Sequence, residues 1–328
     1  MKRYFWIFPF VVIAGVALTL FVRSTESGRP GQEDYYTGFK RDYRIYSPEV
    51  PRDIDFAGEK VPTDIFYVSE NIEREILVNT YWHSNTLLMF KRANRWFPVI
   101  EPILKKNNIP DDFKYLALVE SAFSNVTSPS GAKGFWQILK TTGNDYGLEI
   151  NRQIDERFNV EKATRAACEY LNDAYKILGN WTLVAAAYNM GMGGVKKQIA
   201  VQKASTYYQM SLNSETSRYV YRIIAVKAIF SNPEKYGFYL REKDLFPPLQ
   251  YYIVEVDTTI SDLAAFAAGY NISYKMLKQL NPWMLTYYLP DVSGKKYKIK
   301  IPKDIMKDYF HLRDSMSNEV GIFGDKQK

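Results

Sequence analysis

A helical repeat of apolar residues is the feature that most constrains the fold. Between residues 161 and 178, small and apolar side chains recur at intervals of three and four residues, which places them on one face of an α-helix. They are Ala163, Ala166, Ala167, Tyr170, Leu171, Ala174 and Leu178. Gly179 follows, and glycine at that place is typical of a helix end. The segment therefore predicts an amphipathic helix.

Similar signals recur across 63–240, and this block is therefore expected to be mainly α. Asp111 and Asp112, after Pro110, are typical of a helix start. Further helices are predicted over 70–95, 111–120, 181–189 and 214–230.

The pattern changes after Pro247 and Pro248, where we place a domain boundary. Two short runs alternate between apolar and polar residues as strands do, and two short helical stretches separate them. The predicted order is a strand over 252–256, helices over 260–268 and 273–280, and a strand over 296–301. We expect a small α+β domain of β-α-α-β order over 250–302, and then a charged tail over 303–328.

Residues 4–22 form an uncharged run that is flanked by basic residues. Its 19 residues approach the ~20 that an α-helix needs to cross the core of a bilayer. The run ends in large residues at 20–22, whereas a signal peptide is cleaved after small ones. We favour an uncleaved anchor over 1–23 against the alternative of secretion after cleavage. The polar segment 24–62 is then an extended linker, and the remainder is exported.

Composition and charge narrow the classes of ligand. The net charge of +7 fits either simple solubility or attraction to an acidic polymer. No dense basic arm accompanies it, so no nucleic acid partner is expected. Cys168 is the single cysteine, on an apolar helical face, which indicates a buried thiol. His83 and His311 lack metal-ligand spacing, so neither a metal nor another cofactor is expected.

Glu120 is the candidate catalytic residue. It follows Leu118 and Val119 at the end of the helix predicted over 111–120. An apolar surface removes water from a carboxyl group, which raises its pKa and suits it to act as a general acid near neutral pH.

Polar side chains in two further segments accompany this carboxyl group. Small residues around Ser128 permit a backbone turn, and Trp136 beside Gln137 is predicted to offer a stacking face next to an amide. A predicted helix ends by presenting Tyr188 and Asn189, a phenol and an amide. Such groups around one protonatable glutamate favour a ligand rich in hydroxyl and acetamido groups.

Four motifs in this order resemble the lytic transglycosylases of the soluble type, family twenty-three of the glycoside hydrolases. They are Glu120-Ser121, the run from Ser128 to Gln137, Ala187-Tyr188-Asn189-Met190-Gly191 and Glu215-Thr216-Ser217-Arg218-Tyr219-Val220. The sequence is most similar to the membrane-bound lytic transglycosylase D branch, over roughly 70–240. The resemblance implies a lysozyme-like helical catalytic domain. Met190 departs from the pattern, because the family has a small residue there.

The C-terminal unit resembles a LysM domain, which implies binding of glycan. The similar segments are Tyr252-Ile253-Val254, Asp257-Thr258, Leu280-Asn281-Pro282 and Ile299-Lys300-Ile301-Pro302. Val256 replaces the glycine that is usual before the Asp-Thr pair.

The first resemblance implies a reaction carried by one carboxylate and a partner that is the peptidoglycan glycan strand. Glu120 protonates the glycosidic oxygen between N-acetylmuramic acid and N-acetylglucosamine. It then takes the proton of the muramoyl C6 hydroxyl, which attacks C1 and gives a 1,6-anhydromuramoyl end. The implied substrate-binding residues are Ser128, Trp136, Gln137, Tyr188, Asn189, Glu215 and Tyr219. The protein would lie on the periplasmic side of the cell envelope, anchored to the inner membrane by residues 4–22.

Two alternatives stay open. A goose-lysozyme-type muramidase would use the same acid with a second carboxylate to place water, for which Asp145, Asp155 and Glu156 are the candidates. A non-catalytic peptidoglycan-binding protein would keep the fold without the reaction, and the presence of Glu120 with its polar companions argues against it.

Overall fold

The computed structural model describes residues 45–290 and 294–317. The predicted anchor over 1–23 lies outside the described residues. Within the described ranges, no helix combines the length and the apolar character that crossing a membrane requires.

Helices dominate the first part of the described chain, which confirms the prediction of a mainly α fold. They are α1 (Phe66–Tyr81), α2 (His83–Lys106), α3 (Phe113–Ser121), α4 (Lys140–Asp145), α5 (Val160–Leu178), α6 (Trp181–Met190), α7 (Met192–Gln202) and α8 (Thr216–Ser231). The helix predicted over 70–95 is divided in two, because Trp82 leaves the helical conformation with a ψ of 50°. The sequence did not predict α7, since it begins within a glycine cluster that is typical of a helix end.

Helix α8 lies at the centre of the helical domain. Its buried residues include Tyr219, Val220 and Tyr221, which lie on different sides of the helix, as expected for a helix that others surround. It packs against α1, α3 and α6. In its last turn the ring of Phe230 stacks on Phe90 of α2, with centroids 4.0 Å apart. Phe230 also packs edge-on against Tyr115, with centroids 5.8 Å apart, which joins α8 to α3, the helix that carries the candidate acid.

Part of the predicted linker over 24–62 is packed onto the helical core instead. Phe56 and Val61 are fully buried there. A short antiparallel ribbon pairs β1 (Asp55–Phe56) with β2 (Glu59–Lys60). The sequence did not reveal this packing, because single apolar residues in a short ribbon produce no helical or alternating period.

The second domain has the β-α-α-β order that the sequence predicted. Its elements are β3 (Tyr251–Val256), α9 (Leu263–Gly269), α10 (Tyr274–Leu280) and β4 (Tyr297–Pro302). The strands pair antiparallel, from Tyr251 opposite Pro302 to Val256 opposite Tyr297. The predicted charged tail over 303–328 contains a further short helix, α11 (Tyr309–Asp314), of which Leu312 is buried.

One segment of the helical domain enters the core of the second domain. Ile154 is fully buried among the apolar side chains of the second domain. The backbone N–H of Asp155 donates to the carbonyl oxygen of Trp283 at 2.9 Å, and the N–H of Leu285 donates to that of Gln153 at 2.7 Å. The domains are therefore joined by backbone pairing around a shared apolar residue.

Arg157 fixes the loop between α3 and α4. Its guanidinium donates to both carboxylate oxygens of Asp155, at 2.8 and 2.7 Å. Its Nη1 also donates to the carbonyl oxygens of Gly131 and Ile138, at 3.0 and 3.2 Å. The backbone of Arg157 lies so close to Gly134 that a Cβ atom built there would be 2.0 Å from the Arg157 carbonyl oxygen. The loop is thus held by one buried cation and requires glycine at position 134.

We predict that Gly134→Ala destabilises the protein more than Gly131→Ala does. Both glycines have a positive φ, of 77° and 81°, which costs an alanine about 1 kcal/mol. A Cβ atom at position 131 meets nothing within 4 Å, whereas one at position 134 must displace the backbone, which costs about 1–3 kcal/mol more. Urea denaturation of the two variants gives the difference. Equal losses of unfolding free energy would contradict the packing described for this loop.

Candidate active site

Glu120 lies in the last turn of α3, directly before the helix stops. The residues that follow, Ala122 and Phe123, have positive φ values of 46° and 51°, so the chain leaves the helical path there. Ser121 strengthens this stop, because its hydroxyl donates to the carbonyl oxygen of Phe135 at 2.9 Å. The end of α3 is thereby tied to the following loop, and Glu120 is half-buried between the two.

The Glu120 carboxyl group receives a hydrogen bond from the phenol of Tyr219 on α8. Burial raises the pKa of Glu120 to about 7, and the hydrogen bond from Tyr219 opposes that rise. Two charged neighbours act in opposite directions, since the carboxylate of Glu215 raises the pKa and the guanidinium of Arg222 lowers it. A carboxyl group in this state can both give and take a proton near neutral pH.

The end of α6 brings two polar side chains to the same region. The Tyr188 hydroxyl donates to the carbonyl oxygen of Trp136 at 2.7 Å. Burial raises the pKa of Tyr188 well above its ordinary value, and the charge of nearby Glu120 adds to the effect. The Asn189 side-chain oxygen accepts a hydrogen bond from the Thr216 hydroxyl at 2.8 Å, which fixes the orientation of its amide.

Predicted substrate-binding residues from the loop and from α6 line one pocket of about 310 Å³. Gln137 lines it from the loop, while Tyr188 and Asn189 line it from the helix. The Gln137 amide nitrogen donates to the carbonyl oxygens of Val126 and Gly134, at 3.2 and 2.8 Å. Because both donated bonds stay within the loop, the amide is held in one orientation. The structure therefore brings these three residues together, with Tyr188 as the link to Glu120.

Two residues assigned to substrate binding, Trp136 and Ser128, do not line this pocket. Trp136 is fully buried, and its indole N–H donates to the Thr164 hydroxyl at 2.9 Å. The prediction of a stacking face on Trp136 is therefore wrong, because the ring belongs to the core, where it packs against the Tyr188 ring with centroids 6.4 Å apart. The hydroxyl of Ser128 accepts from the N–H of Ala132 at 3.0 Å, within its own turn.

A charged group that the sequence analysis missed supports the site from α1. Glu75 is 1% exposed, and its carboxylate pairs with Arg218 at 2.7 Å and with Arg222 at 3.4 Å. Arg222 also lies 3.5 Å from the exposed carboxylate of Glu215, at the start of α8. The signal was present in the sequence, since Glu75 shares the apolar face of Ile72 in the predicted helix, where an acid requires a partner.

Two of the three candidates for a second catalytic carboxylate are paired with cations, and the third is exposed. Asp155 is buried and paired with Arg157 at 2.7 Å and Lys133 at 3.3 Å. Burial opposes its ionisation, but these bonds outweigh burial and lower its pKa. Glu156 is buried and paired with Lys162. Asp145 is exposed at the end of α4. None of the three forms a described hydrogen bond with Glu120 or with Tyr188.

Two family models match the two domains. Residues 97–211 match the transglycosylase SLT domain. Residues 252–305 match the soluble lytic transglycosylase C-terminal LysM-like domain. The chain therefore resembles an SLT transglycosylase domain over the first range and a LysM-like domain over the second.

The chain is homologous to the membrane-bound lytic murein transglycosylase D of Escherichia coli strain K12, with 33% identity over 245 residues. The alignment covers 73% of this chain and 52% of the relative, so the chain spans about half the length of that protein. A putative tributyltin chloride resistance protein of Alteromonas is 29% identical over 122 residues, which are 37% of this chain and 59% of that protein.

Two solved structures are also similar to this chain. The soluble lytic transglycosylase of 70 kDa from Escherichia coli has 16% identity and a TM-score of 0.38, covering 68% of this chain and 44% of that one. An inactive mutant of the lytic transglycosylase Slt from Pseudomonas aeruginosa has 16% identity and a TM-score of 0.36, covering 62% and 41%.

We predict that the unfolding free energy of the protein depends on pH through Glu120. The folded pKa is about 7, above the ~4.3 of an unfolded glutamate. Folding therefore disfavours the ionised form of Glu120. The contribution of the protonated carboxyl group to the unfolding free energy is fully present below pH ~4.3 and is lost as the pH rises through about 7. The loss is on the order of 3 kcal/mol.

Glu120→Gln removes this titration and keeps the size of the side chain. Urea denaturation between pH 4 and pH 8 should show the variant gaining stability relative to the unaltered protein as the pH rises. Asp145→Asn, which neutralises an exposed carboxylate, provides the control and should show no such trend. A constant difference between Glu120→Gln and the unaltered protein would mean that the Glu120 carboxyl group is well hydrated.

Proposed function

We propose that this protein is a peptidoglycan lytic transglycosylase, a lyase that cleaves the β-1,4 bond between N-acetylmuramic acid and N-acetylglucosamine. The observation that carries the proposal is the Glu120 carboxyl group, half-buried, bonded to Tyr219 and with a pKa raised to about 7. The SLT domain and the homology with a lytic murein transglycosylase support the same activity.

In the first step, the protonated Glu120 gives its proton to the glycosidic oxygen. The bond between C1 of the muramoyl residue and that oxygen breaks, and positive charge develops at C1. A carboxyl group with a pKa of about 7 is protonated in a large fraction of molecules at neutral pH, and yet it is acidic enough to release the proton. The leaving sugar departs with a hydroxyl group at its C4.

In the second step, the ionised Glu120 takes the proton of the muramoyl C6 hydroxyl, and that oxygen bonds to C1. Atoms balance without water, and Glu120 returns to its starting state. The nucleophile belongs to the same sugar, so it needs orientation but not a second carboxylate. The pairing of Asp155 with Arg157 and of Glu156 with Lys162 is consistent with a reaction that does not use them.

We assign the remaining polar residues to positioning the sugar and the acid. Tyr219 would hold the Glu120 carboxyl group through its hydrogen bond. Gln137, Tyr188 and Asn189 would contact the acetamido and hydroxyl groups of the muramoyl residue, because they line one pocket beside the acid. Glu215 would line the open side of the cleft, where it is exposed.

We propose further that the LysM-like domain binds the glycan strand and that the protein acts in the cell envelope. The uncharged run over 4–22 supports attachment to the inner membrane, and so does the membrane-bound state in the name of the relative. The domain boundaries follow the proposal from the sequence, except that residues from about 54 pack with the catalytic domain over 63–240.

We predict that Glu120→Gln lowers the rate of glycan cleavage by at least ~10³-fold, because a single residue serves as both acid and base. Asp145→Asn is the matched control and should keep the activity of the unaltered protein. Purified sacculi are digested, and mass spectrometry identifies the new chain ends.

The products decide between the enzymatic alternatives. Anhydromuramoyl ends support the proposal, whereas reducing ends and a loss of activity in Asp145→Asn would indicate a hydrolase with a second carboxylate. Unchanged activity in Glu120→Gln would remove the basis of both, and the absence of cleavage by the unaltered protein would favour a binding protein.

We predict that kcat/KM falls as the pH rises above about 7, because Glu120 must start protonated and its pKa is about 7. The hydrogen bond from Tyr219 stabilises the ionised carboxylate and so lowers this pKa. Tyr219→Phe removes that bond, and the alkaline limb of the profile should move to higher pH. A limb that moves to lower pH, or does not move, would contradict the assigned role of Tyr219.

A further inference from the structure

A pocket lies between the helical domain and the LysM-like domain, and we call it the interdomain pocket. Arg92, Arg95 and Trp96 of α2 form one wall, and Tyr274, Lys275 and Lys278 of α10 form the other. Its volume is about 720 Å³. It is separate from the smaller pocket that Gln137 and Tyr188 line, and neither proposed catalytic step uses it.

The lining of the interdomain pocket is strongly positive. Among the described residues that line it, four are cationic and none is acidic. None of these four cations forms an ion pair with a carboxylate in the described part of the chain. Arg92 and Arg95 each donate to a backbone carbonyl oxygen at 3.0 Å, and Lys278 donates to the carbonyl oxygen of Met284. Lys275 is exposed at the rim.

Burial without a counter-ion has an electrostatic consequence for these cations. Burial lowers the pKa of both Arg95 and Lys278 below their ordinary values. Lys114 of the helical domain provides the contrast, since burial acts to lower its pKa as well, but hydrogen bonds to Asp111 and Glu101 help to raise it. An anion in the interdomain pocket would supply the compensation that Arg95 and Lys278 lack.

Aromatic rings hold the cations in place. The Arg95 guanidinium lies 5.1 Å from the ring centroid of Phe246, and the Lys278 ammonium lies 5.9 Å from that of Tyr274. Trp96 packs edge-on against Phe135, with centroids 5.0 Å apart. Because rings restrict the long side chains, less freedom is lost when a ligand binds. The pocket therefore combines fixed positive charge with apolar surface, which suits an acidic ligand with aliphatic parts.

The interdomain pocket also touches the end of the helix that carries the acid. Arg92 donates its hydrogen bond to the carbonyl oxygen of Ala122, two residues after Glu120. Phe123 and Phe135, which flank the stop of α3, line the pocket as well. A ligand held there would lie against the segment that positions Glu120.

We propose that the interdomain pocket binds the peptide stem of peptidoglycan through its free carboxylates. The proposal rests on the proposed function, since the stem is the acidic branch that the muramoyl residue carries. A stem combines several carboxylates with aliphatic carbons, which matches the charge and the apolar surface of the pocket. Both flanking domains would then hold the same polymer.

The test is isothermal titration calorimetry of the full-length protein with a soluble stem tetrapeptide, L-alanyl-γ-D-glutamyl-diaminopimelyl-D-alanine. A second peptide has every carboxyl group converted to an amide. We expect the free peptide to bind at least tenfold more tightly than the amidated one. No binding, or equal binding of the two peptides, would overturn the proposal. The peptide contains no glycosidic bond, so this result is independent of whether the protein cleaves glycan.

A pair of charge variants locates the site. Arg95→Gln with Lys275→Gln removes one cation from each wall of the pocket and should weaken binding of the free peptide at least tenfold. Lys105→Gln with Lys106→Gln removes two exposed charges from the end of α2, about 15 Å along the helix from Arg95, and should leave binding unchanged. Equal weakening in the two pairs would mean that net charge and not the pocket attracts the peptide, and the assignment would fail.

Discussion

The exclusion of water from one carboxyl group is the constraint on which the structure of the site depends. Glu120 is held at the end of α3, and its hydrogen-bond partner Tyr219 comes from α8, the helix that others surround. An ionised carboxylate is poorly stabilised in such a place unless donors face it. One phenol provides a donor without cancelling the effect of burial, so the group stays close to the balance between its two protonation states.

The rest of the helical domain can be understood as support for this pair. Glu75 of α1 pairs with Arg218 and Arg222 of α8 and so orients both side chains. Arg157 holds the loop between α3 and α4 by its bonds to backbone carbonyl oxygens. Both are buried charges with partners, so the loss of one partner would leave an uncompensated charge in the core. The geometry of the site thus depends in part on buried charges that do not line the pocket of Gln137 and Tyr188.

Three features could be predicted from the sequence: the helical class, the β-α-α-β order and the desolvated acid. The first two follow from the local periodicity of apolar residues, and the third follows from the apolar residues next to Glu120. The helix predicted over 161–178 is observed as Val160–Leu178. Local pattern gave the wrong role for Trp136, since the tertiary contact with Thr164 decides which way the ring faces. The packing of Phe56 and the identity of the partners of Glu75 depend on residues far along the chain, although the helical period does place Glu75 on an apolar face.

The position of Ile154 has a mechanical consequence. This residue leaves the helical domain and is buried in the LysM-like core, with backbone pairing on both sides of it. Rotation at that joint would expose an apolar side chain and break two backbone hydrogen bonds, so this contact holds the two domains in one orientation. A glycan strand held by the LysM-like domain, as proposed, would therefore reach the cleft of Glu120 at a fixed angle and a fixed distance.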